Sequence, residues 1–212
     1  MLVLALCFSI LLEWLGMLIW WPEQGARHSE RMLAQELRYL NDGFARSVFL
    51  TEPVRLGRAA ADRLDEALTY IGIHRFLAWL QSPALPTNGL QASIHEALKG
   101  VSAYLEAMTN TTQTFAVRVT VLALAMPLFV LSGFVGLAEG LMRRDLRRWG
   151  GGRESSFLYH HTKKLLEPSI VTAWMLYLAM PLSLHPNWVV LPFAALFAVG
   201  VAMTTATFKK YL

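Results

Sequence analysis

Apolar residues gather along this chain into long runs, and the stretches between the runs are amphipathic at helical spacing. Met1 to Trp21 is apolar except for Glu13, Val119 to Ala138 holds no charged residue, and neither does Ser169 to Phe208. Pro181-Leu-Ser-Leu-His-Pro186 divides the last run into two halves, which predicts a helical hairpin. A hydrocarbon core of roughly 30 Å is crossed by about 20 apolar residues in a helix, and each run or half is close to that length. A spanning backbone must satisfy its own hydrogen bonds, and no run alternates like a barrel strand, so each crossing is expected to be helical. The fold expected is all-α: a four-helix integral membrane protein with crossings at 1–21, 115–138, 169–184 and 188–208.

Residues 22–114 form the one long insertion, and its pattern is helical too. Leu33, Leu37, Leu40, Phe44 and Val48 make a stripe on a helix expected from about Ser29 to Leu50, which Pro53 ends or redirects. Leu64, Leu68 and Ile71 mark a second helix over about Leu56 to Gln81, stopped by Ser82-Pro-Ala-Leu-Pro-Thr-Asn-Gly89. Leu90, Ile94, Leu98, Val101, Leu105 and Met108 mark a third, which can run on into the second crossing. Three such helices bury only a modest core, so they are expected to pack on the crossings or on a partner.

Charge orients the chain. The loop 139–168 carries seven basic and four acidic residues, Lys209 and Lys210 lie in the tail 209–212, and an even number of crossings separates the two sites. The positive-inside rule places both in the cytoplasm, together with the N-terminus. The insertion, with nine basic and ten acidic residues, is then extracytoplasmic and has no footprint for nucleic acid. The pI near 9.4 therefore reflects topology, and direct nucleic-acid binding is not expected. The first run lacks a basic n-region and a small-x-small cleavage site and ends in Trp20-Trp21-Pro22, so it is expected to be a retained anchor. Cys7 is the single cysteine, which excludes an intramolecular disulfide.

Few residues could carry chemistry. An unpaired Glu13 inside a crossing costs about 2.5 to 3.5 kcal/mol on insertion scales, so it is expected to pair, with Arg118 at the outer edge of the second crossing or with another subunit. A proton relay is the competing role, but the other crossings offer no second acid. His160 and His161 are neighbours, about 100° apart on a helix, which suits a shared metal poorly. His185 lies in the hairpin turn, where solvation suffices. Gly150-Gly-Gly152 precedes Arg-Glu-Ser-Ser and lacks the lysine of a phosphate loop. Catalytic signatures are absent, and no cofactor or metal is expected.

Surfaces for association are what the chain does offer. Ala194, Ala198, Ala202 and Ala206 recur every four residues on the last crossing, and Gly136 and Gly140 do the same at the inner end of the second. Such smooth faces let helices approach closely, within this bundle or in a homo-oligomer. Arg143, Arg144, Arg147 and Arg148 form one basic face beneath the membrane, suited to anionic lipid or an acidic partner. Phe157-Leu-Tyr159-His160-His161 follows in the same loop as a candidate partner-binding segment.

External Arg27-His-Ser-Glu-Arg-Met-Leu-Ala-Gln-Glu-Leu-Arg-Tyr39 after the Trp-Trp-Pro exit, and Arg153-Glu-Ser-Ser-Phe-Leu-Tyr-His-His-Thr-Lys-Lys164 before the hairpin, resemble the inner-membrane proteins encoded on bacterial integrating conjugative elements. The similarity extends over nearly the whole chain. It implies a Gram-negative inner membrane, a periplasmic insertion, and a neighbourhood of DNA-transfer genes that includes the coupling ATPase feeding DNA to the secretion channel. The family is itself a domain of unknown function and carries no catalytic or binding residues across. The role expected is a non-enzymatic accessory component of conjugative transfer, associated with the coupling protein or type IV secretion machinery. The alternatives are a small transporter or proton-linked protein built around Glu13, and an exclusion or regulatory factor acting through the external helices.

Overall fold

A computed structural model describes residues 2–44, 53–82, 98, 100–150 and 156–207. Its elements are α1 (Leu2–Ile19), α2 (Arg27–Phe44), α3 (Pro53–Ile71), α4 (Ile73–Gln81), α5 (Ser102–Trp149), α6 (Ser156–Ala179) and α7 (Pro186–Ala206). The described residues contain no strand, so the protein is all-α. Three of its helices, α1, α5 and α7, are long and apolar enough to cross a membrane.

The fourth expected crossing differs. The helix covering its start ends at Ala179, short of residue 184, and its apolar part is only Ile170–Ala179. Pro181 cannot donate its backbone to a further helical turn, and the residue before a proline is driven out of the α region, so the chain leaves the helix at Met180. The loop expected over 139–168 is also largely helical: α5 continues to Trp149 and α6 begins at Ser156, carrying Pro168 within it.

The chain folds as two compact units, residues 1–121 with 178–184, and residues 122–177 with 185–212. In the first, α1 closes on Gly16, whose carbonyl accepts from the amides of Trp20 and Trp21. A turn through Gly25, at φ 52°, then starts α2. The second expected external helix is broken at Gly72, whose φ of 90° is open to glycine at little cost, giving α3 and α4. Ile71, expected on its apolar stripe, is exposed beside that break. Gly57 of α3 meets Leu40 of α2 and Val117 of α5, which is where these three helices come together. The third external helix is continuous with α5 from Ser102 onward, and most of its expected stripe before Leu98 lies outside the described residues, as does Val48.

In the second unit α5 packs on α7. Gly136 faces the Ala198 carbonyl, Gly140 faces Ala202 and Thr205, and Phe129 meets Phe197 edge to face with centroids 6.3 Å apart. Pro186 opens α7 in its first turn, where a missing N–H costs nothing. The amide of Asn187 donates to the His185 ring 3.3 Å away, so His185 caps this helix.

Candidate functional site

The polar centre of the first unit is built on Arg118. This side chain is 1% exposed and Glu36 of α2 is 0% exposed. Nε and Nη2 of Arg118 donate to Glu36 Oε1 at 2.9 and 2.7 Å. Two further bonds go to the turn before α7: Nη1 donates to the Met180 carbonyl at 2.6 Å and Nη2 to the Leu182 carbonyl at 2.8 Å. Both carbonyls lie beyond the last helical residue of this segment, Ala179, where no helical amide reaches them. Ser183 Oγ lies 3.2 Å from the Met32 carbonyl and 3.3 Å from Glu36 Oε1, so its single proton can serve either. One guanidinium thus holds α2, α5 and the hairpin turn together. A buried arginine is tolerable only with such extensive satisfaction, because both charges lose their hydration.

The face that meets it on α2 shares only Leu40 with the described part of the expected stripe: Ser29, Met32, Glu36 and Leu40 are buried, while Leu33 and Leu37 are only partly covered. On α5 the buried line runs Ala107, Thr111, Thr114, Arg118 and Val121, again with polar residues inside. Asn110 Nδ2 donates to Ser29 Oγ at 3.2 Å.

Glu13 does not pair with Arg118, which Glu36 occupies. Its partner is His28, whose Nδ1 lies 3.0 Å from Glu13 Oε1. The short turn after α1 makes this possible by returning the start of α2 to the end of α1. Trp21 folds over Gly16 and stacks on His28, centroids 3.9 Å apart and planes 18° from parallel. Trp14 Nε1 donates to the Tyr104 carbonyl at 3.0 Å, fixing α1 on α5. Glu13 is 1% exposed, and its Oε2 has no protein partner among the described residues.

The remaining expected positions belong to the second unit. Gly136, Gly140, Ala198 and Ala202 pack within the chain as described, Ala194 is buried and Ala206 partly so. Arg143 donates to Glu139 at 2.6 Å one turn back, on an exposed face, and Arg144 and Arg147 are partly exposed. Residues 157, 159, 160 and 161 lie on the first two turns of α6, and Arg148 lies on the last turn of α5. Among the described residues no group of His, Cys, Asp and Glu could hold a metal.

A family model described as IncC plasmid conjugative DNA transfer protein DtrJ-like matches residues 20–209. The chain belongs to the DtrJ-like family. Membership associates it with conjugative DNA transfer. The resemblance pointed to elements that integrate into a chromosome, whereas the family's description names a plasmid, and conjugation is what the two share. Neither a curated protein nor a solved structure matches the chain.

Proposed function

We propose that this protein is a non-enzymatic accessory component of conjugative DNA transfer, inserted in a bacterial inner membrane with both termini cytoplasmic. In this reading α1, α5 and α7 cross the bilayer as long helices, the apolar part of α6, Ile170–Ala179, makes the fourth passage together with the turn that follows it, and α2 to α4 stand on the outer side. The observation that carries it is the Arg118 centre. The buried side chains gather into a hydrogen-bonded brace in which the Glu36 carboxylate is held by the Arg118 guanidinium and the same guanidinium holds the carbonyls of the turn. Such a brace makes the outer helices one body with the turn of the membrane hairpin, so a partner docked on one face is felt at the other. The partner is a protein of the transfer machinery, the coupling ATPase being the first candidate, with anionic lipid at the cytoplasmic face.

Reporter fusions test the topology. Residue 70 is expected outside and residues 152 and 212 inside; cytoplasmic activity at residue 70 would overturn the scheme. Co-purification from native membranes in mild detergent tests the partner, since an accessory component should bring transfer proteins with it.

A second reading rests on Glu13, because its Oε2 is buried without a protein partner among the described residues, beside His28. A proton-linked role needs an acid that changes charge, which glutamine cannot do. Donor cells carrying Glu13→Gln are expected to transfer DNA near the wild-type frequency, since the amide oxygen still accepts from His28. Abolished transfer at unchanged protein level would favour the proton-linked reading instead.

A further inference from the structure

The fourth passage is short of apolar helix. In the proposed topology Arg118 stands at the outer edge of the charge-free run Val119–Ala138, and an arginine side chain leans toward the N-terminus of its helix, which points outward here. The carbonyls of Met180 and Leu182 that it holds are therefore at that edge or outside it. From the turn α6 descends at about 1.5 Å per residue, so Ile170–Ala179 covers about 15 Å of a hydrocarbon layer about 30 Å thick. Tilting the helix, or bending it at Pro168, only shortens the descent. The rest of the layer must be crossed by the residues before Ile170, and the helix comes to the inner boundary near Tyr159.

Three charged residues fall inside that interval. Glu167 lies about 18 Å, Lys164 about 22 Å and Lys163 about 24 Å below Ala179 along α6. Glu167 is four residues from Lys163 and three from Lys164, within pairing reach of either, but one carboxylate cannot neutralise two ammonium groups. The other crossings supply no acid for the second lysine. The run Val119–Ala138 and helix α7 carry none, and Glu13 of α1 meets His28. Lys164 is exposed, as are Pro168, Val171 and Met175, which follow it at intervals of four, three and four residues. A lysine thus interrupts an apolar line on the exposed side of α6. Pro168 has no N–H, which leaves the Lys164 carbonyl without its helical donor at the same level. A charge at the bilayer centre costs about 2.5 to 3.5 kcal/mol on insertion scales, and lysines within spanning helices pair or face water rather than lipid.

We propose that this line of α6, centred on Lys164, docks a membrane-spanning helix of a transfer protein that carries an aspartate or glutamate in the inner half of the bilayer. Charge complementarity selects that occupant. Acyl chains offer no counter-ion, and a second copy related by two-fold symmetry would set Lys164 against Lys164. An acid on a neighbouring span satisfies the ammonium within the layer. This docking line presupposes the membrane reading above and gives its partner a chemistry.

The test places a photoreactive phenylalanine analogue at position 171 or 175 of the full chain in donor cells, with position 199 on the exposed face of α7 as the control. Positions 171 and 175 are expected to yield an adduct with one spanning segment, identified by mass spectrometry as part of a transfer protein and containing Asp or Glu, and position 199 none. Lys164→Met is expected to lose the adduct, Lys164→Arg to keep it, and Lys164→Glu to regain it when the partner's acid is changed to lysine. An unchanged adduct in Lys164→Met would mean that the lysine snorkels to the inner headgroups by itself, and would overturn the proposal. So would an adduct with a second copy of the chain, an adduct with a segment lacking an acid, or no adduct at all. Met175→Cys in a Cys7→Ser background, expressed without the other transfer genes, separates that failure from failure of the membrane reading. A cysteine there that resists a membrane-impermeant maleimide from both sides keeps the fourth passage in the bilayer; one that is labelled removes it and the docking line with it.

Discussion

Arg118 makes four hydrogen bonds, two to Glu36 and one each to the carbonyls of Met180 and Leu182. Removing one member of a buried ion pair strands the other, at a cost of about 3 to 5 kcal/mol. Arg118→Met is therefore expected to lower the midpoint of thermal unfolding in detergent severely. Replacing both partners, Arg118→Met with Glu36→Leu, should recover part of the loss, because the stranded carboxylate is gone. Recovery stays incomplete, since the carbonyls of Met180 and Leu182 still lose their donor. A double variant no more stable than Arg118→Met alone would show that the carbonyls, and not the ion pair, carry the brace. The charge at position 118 was legible in the sequence, standing at the edge of an apolar run. Its partner was not, because a glutamate one position off a leucine stripe reads as solvated surface. Only the arginine's position in three dimensions turns Glu36 inward. The expected pair of Glu13 with Arg118 fails for the same reason: within the chain Glu13 meets His28, which comes back over the end of α1 through a turn that includes Gly25.

At the scale of elements, helix type and rough extent followed from periodicity, while ends and breaks depended on single residues. The split of α3 from α4 needs a positive φ at Gly72, and the end of α6 needs Pro181; both residues are visible, but neither alone says whether a helix bends or stops. Small residues were the more informative signal. Glycines at 136 and 140 with alanines at 198 and 202 mark a close approach, and the structure puts α5 and α7 in contact there. A side chain at Gly136 would run into the Ala198 carbonyl, which belongs to backbone and cannot turn aside. Gly136→Val is accordingly expected to force the helices apart and cost about 1 to 3 kcal/mol, as overpacking does. Val199→Leu, on the exposed face of α7, is expected to change the unfolding midpoint little. Equal behaviour of the two variants in a detergent melt would mean that α5 and α7 do not pack at Gly136.

For the whole molecule, function should be sought where the chain presents surface that its own packing does not use. The brace at Arg118 uses Glu36, and the α5–α7 seam uses Gly136, Gly140, Ala198 and Ala202. In the proposed topology the first part of α6 lies on the cytoplasmic side, with Phe157, Tyr159, His160 and His161 within two turns. An aromatic and imidazole cluster followed by Lys163 and Lys164 suits a protein surface with apolar and acidic character, and complementary charge there would govern both encounter and specificity. Tyr159→Ala with His160→Ala tests this without altering the basic count that orients the chain. Insertion and protein level are expected to stay normal in the donor cell, while transfer frequency falls and the co-purifying transfer protein is lost. Coincident loss of both separates a docking defect from a folding defect, in which protein level would fall first. Wild-type transfer together with undiminished co-purification would remove this face of α6, and the outer helices α2 to α4 would become the surface to mutate next.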